Sequence, residues 1–235
     1  MKQAVRDRLI EHDPTAGIPY PKVARREPVT LTGPQARHLL EVVKGERFAP
    51  ILATSLGLGV RRGEALGLRT QDIDLERGIV TIAHGLRYIP PTLRREDEGP
   101  YRLTGTKTGE TREVPLPAFV AEALRDRLAE RDTEAKAART YAYNGFVFCD
   151  ELGNSVPLQS LYAWFKAALV RAGLPDMRWH DLRASTITLL LDMGVDLLTI
   201  QRIVGHRDLA TTRRYVGKTP AAMAAAAGRL EEAMG

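Results

Sequence analysis

The feature that most constrains the fold is a change of period along the chain. From residue 32 to 68, and again from 117 to 216, apolar residues recur at helical spacing, whereas the stretch between holds short β-branched runs bounded by turns. Residues 79–83 (IVTIA) follow a turn at Arg77 and Gly78, and 112–116 (REVPL) follow the glycine-flanked turn 105–109. Both read as strands of a small antiparallel sheet. Pro115 has no N–H to donate and places the second strand at an edge. The apolar run 146–149 predicts another short strand. Helices are predicted over 33–43, 48–58, 118–138, 158–172, 181–193, 197–204 and 208–216, with Gly194 and Gly205 as stops, and 3–11 also has helical spacing. The expected class is α+β, mostly helical, with a small three-stranded antiparallel sheet.

Composition narrows the function. With 235 residues, 44% hydrophobic and 27% charged, the chain can bury one substantial core with a small appendage. No stretch approaches the roughly 18 apolar residues that span a bilayer, and the charged start MKQAVRDRLIEHD lacks a signal peptide's apolar segment. No membrane partner and a cytoplasmic location are expected. A single cysteine, Cys149, excludes an intrachain disulfide or a cysteine zinc cluster. A net charge of +5 and a pI near 9.5 permit a nucleic-acid partner without requiring one.

Four segments carry groups that can bind phosphate or move protons. In GVRRGEALGL (59–68), Arg61 and Glu64 stand at i and i+3, where a carboxylate can orient a guanidinium; a plain surface ion pair has the same spacing. GTKTGE (105–110) puts Lys107 in a turn between glycines, as a merely solvated lysine would also stand. In WHDLRAS (179–185), His180 and Arg183 share one helix face, a proton carrier beside an oxyanion ligand; a capping Asp181 with a satisfied histidine accounts for the same letters. In GHRDLATTRRY (205–215), His206 follows a glycine stop and Tyr215 ends a short helix, a common place for a packing tyrosine. Asp72 and Asp74 in QDIDL read as turn residues, and His12, His38 and His84 have no ligand-like partner, so no metal site is predicted.

The order of these groups is more specific than any one of them. An arginine, a hairpin lysine, His-x-x-Arg, a histidine 23 residues after Arg183 and a tyrosine nine residues further on resemble the catalytic domain of tyrosine recombinases, the phage integrase family, over residues 30 to 218. Val204 stands where that family more often has leucine. The resemblance implies a recombinase that cleaves and rejoins DNA through a 3′-phosphotyrosyl intermediate, without metal, cofactor or ATP, most simply for integration or excision of a mobile element. It implies that Arg61, Arg183 and His206 bind the scissile phosphate and that Tyr215 is the nucleophile. Lys107 is then the general acid, His180 a general acid/base and Glu64 a supporting residue. The implied partners are double-stranded attachment sites and, in the full-length enzyme, three further protomers of a DNA-bound homotetramer, this chain alone being monomeric or weakly associating. Residues 1–29 resemble the last helix of a core-binding domain plus a linker, and 219–235 a C-terminal docking helix. Two alternatives remain at this point: a type IB topoisomerase-like nicking and closing activity, and a non-catalytic DNA-binding regulator on the same fold.

Overall fold

A computed structural model describes residues 1–19, 26–96, 99–106, 109, 111–213, 231 and 234. Its centre is a helix whose sequence, APILATSLGL, is apolar on every side. This helix, α3 (Ala49–Leu58), buries Ile51, Leu52, Ala53, Leu56 and Leu58 together with Thr54 and Ser55. Full burial of such aliphatic side chains stabilises by about 1.5–3 kcal/mol each. Before α3 stand the short α1 (Lys2–Arg6) and α2 (Gly33–Val42). α1 is shorter than the helical spacing of 3–11 predicts, because Arg8 takes φ +57°, a left-handed conformation no helix can include. α2 opens on a reciprocal cap: the Thr32 hydroxyl accepts from Gln35 N–H and the Gln35 amide oxygen accepts from Thr32 N–H.

After α3 come α4 (Arg62–Leu66) and a 3-10 turn, then β1 (Ile73–Asp74), β2 (Ile79–Ile82), β3 (His84–Tyr88), β4 (Tyr101–Gly105) and β5 (Arg112–Pro115). The described strands form two antiparallel sheets. One has the order β1-β2-β5, with Val80 opposite Val114 and both buried; the other is the hairpin β3-β4. The predicted strands 79–83 and 112–116 are therefore present and paired, with Pro115 on an edge strand. The third strand of the sheet is β1, not 146–149. That segment makes only isolated bridges, Arg69 to Phe146 and Cys149 to Ser155, because side chains take its carbonyls: Arg127 donates to Val147 O and Cys149 O, and Arg47 to Cys149 O.

The remainder is helical: α5 (Ala118–Ala137), α6 (Leu158–Arg171), α7 (Trp179–Asp192), α8 (Leu197–Val204) and α9 (Leu209–Arg213). α5 crosses α3 closely at Gly57, where a Cβ would lie 2.2 Å from a Val120 methyl. α6 meets α7 through Phe165 and Trp179, edge to face at 5.0 Å between ring centres. α4 lies directly on β3, since Gly63 and Gly67 have no side chain to hold it off; a Cβ on Gly67 would come within 2.8 Å of Leu86 N. No described helix is long and apolar enough to cross a membrane.

Candidate active site

Four helix ends and the start of one strand converge at one place. α3 ends at Gly59, whose φ of +58° and missing side chain let α7 and α8 close in; a Cβ there would lie 2.9 Å from a Val204 methyl and 3.2 Å from Thr186. Two residues on, Arg61 is the extended N-cap of α4. Glu64, one turn into α4, accepts from Arg61 twice, from its backbone N–H at 3.0 Å and from Nη1 at 2.6 Å. The predicted i, i+3 pair is thus formed, and it is no surface pair: the Glu64 side chain is 3% exposed. Arg62, its neighbour in the sequence, sits over the Tyr162 ring at 5.1 Å, so Arg61 is the member of the pair joined to this cluster.

α7 supplies Arg183, buried, whose Nη1 donates to Gly59 O at 2.7 Å and Val204 O at 2.5 Å. One turn earlier on the same face, His180 is exposed at the rim. The start of α7 is held by Asp181, which is buried and accepts from Arg178's backbone N–H and guanidinium. α8 ends at Gly205 in the left-handed conformation, φ +69°. Its last carbonyls receive a succession of arginines: Ile203 O accepts from Arg112 Nε at 3.0 Å, Val204 O from Arg183, and Gly205 O from Arg61 Nη2 at 2.9 Å. Cations at a helix C-terminus also meet the negative end of its dipole. The chain then turns into His206, whose Nδ1 hydrogen-bonds the buried Thr212 hydroxyl at 2.8 Å and whose carbonyl accepts from Gln201 Nε2.

Arg61, Glu64, Arg183 and His206 are thereby brought together, with His180 beside them. Lys107 and Tyr215, and all of the predicted C-terminal helix except residues 231 and 234, lie outside the described residues. Arg112, Gln201 and Thr212 belong to the cluster although no local pattern marks them. Arg112 reads as the first residue of an ordinary strand, and its partners Glu64 and Ile203 lie 48 and 91 residues away.

The electrostatics follow from this packing. Burial pushes the Glu64 carboxyl up, but the hydrogen bond and charge of Arg112, aided by Arg61, outweigh it and hold the pKa below the usual carboxylate value. His180 is pushed below the ordinary histidine value, first by desolvation at the rim and then by the charges of Arg183, Arg178 and Arg61, with Asp181 opposing. Its imidazole is neutral at neutral pH and can accept a proton. The cluster is therefore a set of fixed guanidiniums beside an imidazole of lowered pKa, an arrangement suited to an oxyanion.

Residues 30–221 match the phage integrase family. The chain belongs to that family. Among relatives of the integrase chain, a tyrosine recombinase XerC-like protein of Caldanaerobacter subterraneus subsp. tengcongensis is 30% identical over 203 residues, covering 83% of this chain and 51% of that one. Tyrosine recombinase XerA of Thermococcus kodakarensis is 29% identical over 203 residues, covering 85% and 61%. The chain thus spans about half to three-fifths of the length of these relatives. Among solved structures, the Tn1549 transposon integrase in complex with circular intermediate DNA superposes with a TM-score of 0.71 at 22% identity, over 88% of this chain and 68% of that one. The catalytic domain of bacteriophage HP1 integrase does so at 0.54 and 20% identity, over 86% and 95%. The fold is that of a tyrosine recombinase catalytic domain.

Proposed function

We propose that this chain carries the strand-transfer chemistry of a site-specific tyrosine recombinase acting on double-stranded DNA. The observation that supports it most is the anchoring of Arg61 and Arg183 on successive carbonyls, Gly205 O and Val204 O, of the turn that leads into His206. A phosphodiester repels nucleophiles and has a poor leaving group, so its catalyst must neutralise the non-bridging oxygens and protonate the departing oxygen. In this reading Arg61, Arg183 and His206 meet the first need, and loss of one such donor costs about 10²–10³ in rate. Glu64 keeps Arg61 in place. Tyr215 attacks phosphorus through its phenolic oxygen, the bond from phosphorus to the 5′-oxygen breaks, and Lys107 gives that oxygen a proton. A tyrosine with a pKa near 10 is phenolate for only about one part in a thousand at neutral pH. In the same reading His180, whose pKa is held below the ordinary histidine value, helps remove the proton. The 3′-phosphotyrosyl bond conserves the energy of the broken phosphodiester, so a 5′-hydroxyl from another strand can reverse the attack without ATP or metal. Membership of the phage integrase family favours integration or excision of a mobile element as the setting.

The test is covalent capture. The chain is mixed, with EDTA present, with nicked duplexes randomised in sequence around the nick, denatured, and examined for DNA attached to protein. An adduct with the wild-type chain, absent in Tyr215→Phe while DNA affinity stays within about twofold, is expected. A chain that binds DNA and yields no adduct refutes the enzyme reading. An adduct that survives Tyr215→Phe refutes the nucleophile assignment.

A further inference from the structure

Arg112 closes a ring. Its Nη2 donates to Glu64 Oε2 at 2.7 Å, the other oxygen of Glu64 accepts from Arg61 Nη1, and Arg61 Nη2 donates to Gly205 O. Two residues back along the chain from Gly205, Ile203 O accepts from Arg112 Nε, which returns to the start. The guanidinium of Arg112 also lies flat against the turn: a Cβ on Gly205 would fall 2.7 Å from its Nη1 and 2.8 Å from its Cζ. The side chain is 13% exposed, against 24% for Arg61, so Arg112 stands behind the cluster and Arg61 in front. Arg112 is also the first residue of β5 and follows Lys107 by five positions in the sequence.

We propose that Arg112 is a positioning residue for strand transfer, fixing Arg61 through Glu64 and the His206 turn through Ile203 O and the face of Gly205. This rests on the proposed strand-transfer function. One guanidinium thereby braces, beside the direct Arg61–Gly205 O bond, the distance between two phosphate ligands that come from segments about 145 residues apart in the sequence. Only a planar fork does this: the two donors used, Nε and Nη2, point to one carboxylate and one carbonyl at once, which the single point charge of a lysine does not reproduce. With Arg112 gone, Glu64 retains Arg61, and the end of α8 is held to this pair by the Arg61–Gly205 O bond without the second brace through Ile203 O. The spacing of Arg61 and His206 is then held from one side only, and a misplacement of about 1 Å in a reacting constellation can cost about 10²-fold in rate.

The experiment compares single-turnover adduct formation and DNA affinity for the wild-type chain, Arg112→Ala, Arg112→Lys and a control, Arg47→Ala. Arg47 is a part-buried arginine paired with Glu134 and Cys149 O, outside the cluster. Arg112→Ala is expected to slow adduct formation roughly tenfold to a hundredfold with DNA affinity nearly unchanged. Added methylguanidinium should restore part of that rate, and Arg112→Lys should fall between. Arg47→Ala is expected to lower thermal stability without slowing the step and without responding to methylguanidinium. If Arg112→Ala does not fold, Arg112→Lys carries the test, with a loss of roughly fivefold or more expected. Wild-type rates in the folded Arg112 variants, or a loss that Arg47→Ala reproduces at equal stability, overturn the positioning role. A wild-type chain that forms no adduct overturns the strand-transfer reading and this proposal with it.

Discussion

Glu64→Gln isolates what the buried carboxylate does for the fold. The substitution keeps the shape and an amide oxygen for Arg61 N–H, but it removes the one anion that two guanidiniums share at 2.6 and 2.7 Å. At 3% exposure there is little solvent to take over that screening. Breaking a buried ion pair by removing one partner costs about 3–5 kcal/mol, and the hydrogen bonds that Gln retains offset part of it, leaving about 2–4 kcal/mol. For a chain of this size that is a fall in Tm of about 4–16 °C. The sign with pH is determined by the lowered Glu64 pKa. A carboxyl whose pKa is lower folded than unfolded stabilises above its unfolded value of 4.5, and that contribution is lost as pH falls through the folded pKa. Gln does not titrate, so the two proteins should differ most at neutral pH and converge on acidification. Denaturant unfolding of both at a series of pH values measures this directly. A difference under about 1 kcal/mol at neutral pH, or one that stays constant as pH falls through the carboxylate range, refutes the account of Glu64 as a buried, charged bridge.

Two further outcomes are expected. Arg127, buried on α5, joins Glu130 and Glu134 to the carbonyls of Val147 and Cys149, so Arg127→Met should lower stability by about 3–5 kcal/mol while adduct formation per folded molecule, read from titrated active protein, stays unchanged. If His180 accepts a proton in the transfer step, the rate should fall on acidification with a midpoint below 6.5, because its pKa is depressed. His180→Asn should remove that limb from the pH profile, and a limb that persists assigns the proton to another group.

Local signals accounted for much of the molecule. Gly59 and Gly205 end helices in the left-handed conformation, and their neighbours in sequence, Arg61 and His206, stand where helix ends deliver them. Arg61 with Glu64, and His180 with Arg183, obey one-turn spacing that is readable without coordinates. What could not be read is what depends on distant partners. Residues 146–149 have a strand's composition, yet among the described residues they make only isolated bridges, and arginines from α5 and the loop before α3 take up their carbonyls. β1 is two residues long, too short for any periodicity. The hairpin β3-β4 alternates only weakly, and its placement comes from Gly63 and Gly67 admitting β3 against α4. Arg112 has no local mark at all, because its meaning lies in a carboxylate and a carbonyl brought to it by the tertiary fold.

The arginines on the end of α8 have a consequence in net charge. Among the described residues of the cluster, Arg61, Arg112 and Arg183 face one carboxylate, Glu64, and a helix end worth about half a negative charge. The surplus is about one and a half positive charges, more than the single negative charge of one phosphodiester. Folding the empty chain therefore means compressing like charges together, and whatever anion enters relieves that compression. On the proposed function, binding and folding are then one linked equilibrium, and a phosphate bound at this cluster would raise the stability of the fold by mass action.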